Sequence, residues 1–207
     1  MARRICCIPF IFIFLVVFEL SIVKSVKAET DAEAASFIKS LADEAVTSLT
    51  GEGLSKEERR GRFRALMLDK FAFKVIAKWV LGRYWRNAAE DEKREYLSLF
   101  EELMVVTYAD RFSKYSGEKL TIKNSEVRSK IDTLVHSVLT RSKGAQPIKV
   151  AWRVRKAGKK HKIIDVMVEG VSMGIAQKRE FASVVRKSGG KIGGLLDELR
   201  KRLASNL

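Results

Sequence analysis

A serine between two glycines is the first place in this chain where chemistry could be sought. Gly170-Val171-Ser172-Met173-Gly174 spells G-x-S-x-G. An alternating apolar run precedes it and an amphipathic one follows, which is the strand-turn-helix setting of a hydrolase nucleophile elbow. That machinery orders its triad as serine, acid, histidine, and no histidine follows Ser172. Ser172 therefore reads as a helix N-cap, its hydroxyl accepting from the amide of residue 174 or 175. The two histidines, His136 and His161, stand in no H-E-x-x-H or comparable spacing, and two imidazoles without cysteine make a weak metal site. Asp165 and Glu169 alternate with valines on a strand, so they should face away from whatever those valines line. No phosphate loop, dinucleotide fingerprint or paired-carboxylate site is present. No catalytic residue, metal or cofactor is assigned, and the reading is not an enzyme.

The elements that would position these residues begin after residue 28. Arg3 and Arg4, an apolar run from Ile8 to Phe18 and a small-residue site at Val26-Lys27-Ala28 form a signal peptide over 1–28, cut after about Ala28. The run is shorter than the roughly 20 apolar residues a bilayer span needs. Both cysteines, Cys6 and Cys7, fall inside that segment. The exported chain then has no thiol, which excludes disulfides and thiol catalysis and points to a bacterial envelope compartment. The formal charge is +15. Arg3, Arg4, Lys24 and Lys27 against Glu19 give the signal +3, leaving +12 on the rest. So basic a chain suggests nucleic acid, but export argues against it. The polyanions of the envelope are lipid headgroups and acidic protein faces.

From Asp31 to Lys114 the apolar period is helical. Ala34, Ile38, Leu41, Ala45 and Leu49 form one stripe; Ser55 with Glu58 is a capping box for a second helix. Val75, Ile76, Trp79 and Val80 are read as one face of a third, ended by Gly82. Asn87 is read as the cap of a long helix over about 90–114, with Tyr96, Phe100, Leu103, Met104, Tyr108 and Phe112 in a wide inward stripe. After Ser116-Gly117 the period falls to two. Strands are expected over 120–127, 133–142, 148–155 and 161–169, joined as hairpins in an antiparallel meander. Ile148, Val150, Trp152 and Val154 should make a dry face, with Lys149, Arg153 and Arg155 on a wet one; Ile164, Val166 and Val168 continue the dry face. Two helices close the chain. The fold class is α+β, helices covering one face of a curved antiparallel sheet.

VLGRYWR (80–86), LFEELMVVTYADRF (99–112), YSGE (115–118), DVMVEGVSM (165–173), REFASVV (179–185) and GGLLDELR (193–200) together resemble the MlaC, or toluene-tolerance, family of periplasmic auxiliary proteins. The resemblance covers about Ala34 to Leu203. Residues 124–134 carry no signature of it. It implies a nuclear-transport-factor-like sheet with a small helical subdomain, enclosing an apolar lipid pocket. The helical part would span about 31–115, and the sheet with its closing helices about 116–204, in one lipid-binding domain over 29–207. The implied function is a periplasmic carrier that shuttles phospholipid between an outer-membrane lipoprotein–porin complex and an inner-membrane ABC transporter with its substrate-binding ring, maintaining outer-membrane lipid asymmetry. Phospholipid would be cargo, and no nucleic acid is expected. The alternatives are a carrier of another apolar lipid such as a hopanoid and, more distantly, a cone-fold isomerase or dehydratase. The expected lipid-binding residues are Trp79, Val80, Phe100, Leu103, Met104 and Tyr108 from the helices and Val150, Trp152, Val166, Val168, Val171 and Met173 from the sheet and its rim. Lys149, Arg153 and Arg155 are expected at the headgroup or a partner.

Overall fold

The computed structural model describes residues 31–141 and 144–205. The signal-peptide expectation and both cysteines lie outside the described residues. Helix α1 (Ala32–Leu49) starts at Asp31, whose carboxylate accepts from the Ala34 amide at 2.9 Å. Helix α2 (Lys56–Lys70) opens on the expected capping box. Ser55 Oγ accepts from the Glu58 amide at 3.1 Å, and the Glu58 carboxylate accepts from the Ser55 amide at 3.0 Å. Helix α3 (Phe73–Leu81) stops at Gly82, where φ is +61°. The Tyr84–Trp85 cluster forms a one-turn helix of its own, α4 (Arg83–Asn87).

Helix α5 (Glu90–Tyr108) is capped at Ala89 and not at Asn87: the Glu92 carboxylate reaches back to accept from the Ala89 amide at 2.9 Å. It ends earlier than its apolar pattern, tightening into a 3-10 turn over Ala109–Lys114. The strands are β1 (Lys119–Val127), β2 (Asp132–Thr140), β3 (Ile148–Ala157), β4 (Lys160–Val168) and the two-residue β5 (Val171–Ser172), antiparallel in that spatial order. Helices α6 (Met173–Lys187) and α7 (Gly193–Ala204) follow.

The short hairpins dictate a meander, and the period-two pattern dictates which face each residue takes, until an extra residue intervenes. Trp152 pairs with Val166 but Val154 pairs with Ile163, so Ile164 is an unpaired bulge residue that resets the phase of β4. The lower dry face is therefore continued by Ile163, fully buried, and not by Ile164. A second irregularity lies between Ile122 and Asn124 in β1.

Two packed clusters result. In one, Ala34, Ile38, Leu41 and Leu49 of α1 with Leu66 of α2 cover Val135, Val154 and Ile163 of the sheet. The other is helical: Val80, Tyr96, Phe100, Leu103, Phe181, Leu195 and Leu199 join α3, α5, α6 and α7. Phe63 and Phe71 pack against both. Helix α5 lies between neighbours, so Val105, Val106 and Ala109 are buried as well as the expected stripe. Val75, Ile76, Trp79 and Val80 do not share one fate. Ile76 and Val80 turn to the core, while Val75 and Trp79, about 100° round the helix, are 55% and 44% exposed.

The polar segment 124–134 ties α1 to the sheet. Ser125 Oγ accepts from the Asp31 amide at 3.0 Å and the Thr133 hydroxyl donates to the Asp31 carboxylate at 2.7 Å. Burial would push the Asp31 carboxyl up, but the hydrogen bonds from the Ala34 amide and Thr133 outweigh it and hold it below its ordinary range.

Candidate functional site

The pairing register arranges the dry face of the sheet in rows. Leu120, Leu139 and Ile148 form the uppermost; Ile122, Ser137, Val150 and Val168 the next; Ser125, Val135, Trp152 and Val166 the third; Val127, Thr133, Val154 and Ile163 the lowest. The two lower rows meet α1 and α2 in the sheet cluster. Higher up, Val150 and Val168 belong to neither packed cluster, and Leu139, Ile148 and Val168 are only half-buried. The polar side-chain atoms of the upper part of this wall, on Ser137 and Trp152, are satisfied within it. Ser137 Oγ donates to the Val150 carbonyl at 2.8 Å and accepts from Trp152 Nε1 at 3.0 Å. A wall of this kind presents methyl groups and an indole face without an open donor or acceptor, so it suits hydrocarbon and offers nothing to a polar substrate.

Four of the expected lipid-binding residues, Val150, Trp152, Val166 and Val168, come together here as two cross-strand pairs. The others are dispersed. Val80, Phe100 and Leu103 are 2%, 2% and 6% exposed inside the helical cluster, with Met104 packed against it. Tyr108 is half-buried, the Arg111 guanidinium 5.1 Å from its ring centre. Met173 is half-buried at the start of α6, and Trp79 and Val171 are at the surface.

The rim is built by the turn after β4. Glu169 and Gly170 have φ of +48° and +80°, the pair of left-handed residues that a two-residue hairpin demands. Glutamate is an unusual choice there. Its side chain is used: Glu169 donates its amide to the Lys149 carbonyl at 2.9 Å, and its carboxylate accepts from the Lys149 amide at 2.6 Å. Val171 then pairs with Val168.

Ser172 is the N-cap of α6, its Oγ accepting from the Ile175 amide at 3.0 Å. Its proton goes to Asp165, the hydroxyl donating to that carboxylate at 2.6 Å, while the other Asp165 oxygen accepts from the Gly174 amide at 3.1 Å. Asp165 is thus the brace of the turn, on the face opposite the valines as the alternation requires. Its bracing role was not readable in advance, because an acid seven residues before a cap serine is no recognised pattern. Gly174 is fixed by space: an added Cβ would stand 2.9 Å from the Trp79 ring. Replacing Ser172 with alanine removes the cap and one bond to a carboxylate. The expected loss is roughly 2–3 kcal/mol of stability in urea denaturation.

The wet face is locked, not open. Asp132, 4% exposed, accepts from Arg153 at 2.8 Å and from Arg155 at 2.6 and 2.8 Å. The Arg155 hydrogen bond, against burial and with Arg153 adding to it, holds the Asp132 carboxyl below its ordinary range. His136 lies on this face, 3.6 Å from Glu126, and the His161 ring sits 5.8 Å from that of Phe37. Among the described residues no group of three or more His, Cys, Asp or Glu side chains could hold a metal ion, and no helix is long and apolar enough to cross a membrane.

Comparison with known proteins places this architecture. The family described as MlaC protein matches residues 39–201, from within α1 to the last turns of α7. The intermembrane phospholipid transport system binding protein MlaC of Haemophilus influenzae is 24% identical over 113 residues. Those residues are 53% of either protein, so the chain spans about half the length of the curated relative it matches. The phospholipid-binding protein from Ralstonia solanacearum, solved in complex with a phospholipid, superposes with a TM-score of 0.75 at 22% identity, covering 84% of this chain and 99% of that one. At that identity the superposition speaks for the fold: α+β, a curved antiparallel sheet under helices. With a family match running through every element from the first helix to the last, the chain belongs to the MlaC protein family.

Proposed function

We propose that this protein is a periplasmic lipid carrier, not an enzyme, which holds the acyl chains of a phospholipid against the upper dry face of its sheet and leaves the headgroup outside. The observation that carries the reading is the apolar, internally satisfied wall of Ile122, Val150, Trp152, Val166 and Val168, part of which neither packed cluster fills. The names of the Haemophilus and Ralstonia relatives support phospholipid as the cargo class. Met104, Tyr108 and Met173 complete the proposed lining; Val80, Phe100 and Leu103 act behind it, as the packed support of α5. Lys149, at the rim, is the headgroup contact. Arg153 and Arg155, on the far face and tied to Asp132, suit a partner contact instead. The first 28 residues serve as the export signal, and 29–207 form one lipid-binding domain.

Energetics make a cavity obligatory for this role. Two chains of about 16 carbons gain on the order of 25 kcal/mol on leaving water, at roughly 0.8 kcal/mol per methylene. A bilayer offers a similar gain, so exchange with a membrane is nearly balanced. Direction must come from docking to complexes in the two membranes, as the family's place between an outer-membrane complex and an ABC transporter implies. The test is extraction of the purified protein into organic solvent followed by mass spectrometry. A stoichiometric phospholipid is expected. A hopanoid in its place would shift the cargo class, and a protein that carries no lipid sinks the proposal.

A further inference from the structure

The outer side of α3 and α6 carries features that the proposed cargo wall does not need. Val75, Trp79, Val171 and Ile175 are 55%, 44%, 56% and 43% exposed, an unusual amount of large apolar surface for one region. Val75 and Trp79 lie one turn apart on α3. With Lys78, Gly82, Arg83, Arg86 and Lys178 they line a shallow cleft of about 550 Å³ that contains no carboxylate. Lys178, from α6, stands over the Trp79 ring at 4.6 Å from its centre, and the ring edge abuts Gly174, next to Ile175. The apolar row thus crosses from one helix to the other with cations on its flanks. Lys78 and Arg83 rest over Trp85 and Tyr84, at 5.2 and 5.0 Å. Unlike Arg153, Arg155, Arg200 and Arg202, none of the four cations of the cleft is ion-paired among the described residues.

We infer that this ridge docks the protein on an anionic bilayer surface, with Val75 and Trp79 entering the headgroup layer and Lys78, Arg83, Arg86 and Lys178 set against lipid phosphates. An indole beside lysine and arginine stems is the combination that suits the interface, its apolar body in the acyl boundary and its charges in the headgroups. A protein partner would have to match four cations with fixed carboxylates around an exposed indole. A bilayer supplies mobile phosphates that need no such match. The excess of positive charge over the whole chain acts in the same direction, drawing the protein to a negative surface from about a screening length away. Val171 pairs with Val168, so the ridge starts beside the proposed cargo wall. It does not depend on that wall holding lipid.

The test is sedimentation of the exported form, purified from the cell envelope, with vesicles of two compositions. One is phosphatidylethanolamine with about a quarter phosphatidylglycerol; the other is phosphatidylcholine alone. Binding to the first only is expected, and it should weaken between about 0.1 and 1 M salt, where the screening length falls from ~10 to ~3 Å. Each cation near an anionic surface is worth about fivefold in partitioning. The Lys78→Gln, Lys178→Gln double variant should therefore bind about 25-fold less, and Trp79→Ala, which removes apolar area from the bilayer boundary, at least about fivefold less. Circular dichroism and lipid extraction of each variant, unchanged from the native protein, separate this result from a loss of fold or of cargo. Equal binding to phosphatidylcholine, undiminished binding by both variants, or a native protein that sediments with neither vesicle would each overturn the inference. So would variants that bind vesicles normally but lose capture of an envelope protein, which would make the ridge a protein interface.

Discussion

Val168→Arg is expected to yield a folded protein from which copurified lipid is almost absent, lowered about tenfold or more in the extract. Val168 faces the proposed cargo from the second row of the wall, between Val150 and the rim residue Val171. It is half-buried and lies outside both packed clusters. An arginine there can therefore be accommodated with its guanidinium in water while its stem crosses the apolar wall. What it denies is the space and dryness an acyl chain requires, because a charge beside hydrocarbon must keep its hydration. Val168→Leu retains the apolar surface and should retain the lipid. Leu103→Arg cannot serve the same purpose: at 6% exposure in the helical cluster, a charge would unfold the protein. A folded Val168→Arg protein with a full complement of lipid would place the cargo elsewhere.

Phe181→Ala should give the largest loss of stability, about 3–5 kcal/mol. Phe181 is 1% exposed and meets two rings edge-on, Tyr96 at 6.2 Å and 81°, and Phe100 at 5.4 Å and 73°. Tyr96 and Phe100 are themselves stacked at 5.7 Å, so the three rings form one unit spanning α5 and α6. Tyr96 closes it by donating its hydroxyl to the Ala77 carbonyl of α3 at 3.0 Å, and burial keeps that phenol protonated far above its ordinary range. Truncating Phe181 empties the joint of three helices. At about 2–4 °C per kcal/mol for a chain of this size, the melting temperature should fall by about 6–20 °C, measured by calorimetry. A fall below about 2 °C would show that the helical cluster has another keystone.

The elements themselves were legible because each follows from a local rule. The Ser55–Glu58 box, the fall from period 3.6 to 2 after Gly117 and the Ser172 cap are written in adjacent residues, and the structure has all three. What was not legible depends on partners distant in sequence. Ile163 and Ile164 are equivalent as neighbours in a strand; only the pairing with β3 decides which is the bulge. Val75 and Trp79 fit an apolar helix face as well as Ile76 and Val80 do, and it takes the position of α6 to choose between them. The same holds for the wall. Alternation gave Val150, Trp152, Val166 and Val168 a common face. That α1 and α2 cover the lower part of it and leave Val150 and Val168 outside the packed clusters is a property of tertiary packing.

The outer edge of strand β4 is blocked at two places. Below, the Ala72 amide donates to the Ile163 carbonyl at 2.9 Å, with Phe71 bridged beside it in parallel; above, β5 pairs with Met167 and Val168. The longest outer edge left for a foreign strand is therefore that of β1. That strand is interrupted between Ile122 and Asn124 and carries exposed Lys119 and Lys123, devices that discourage edge-to-edge addition. For a protein whose work would require it to pass through an empty state with bare hydrocarbon-binding surface, this decides how encounters between copies end. Two emptied molecules that touch find no long unbroken edge to zip onto, so the contact stays reversible and the population stays available for reloading, where a continuous open edge would favour growth into a fibre.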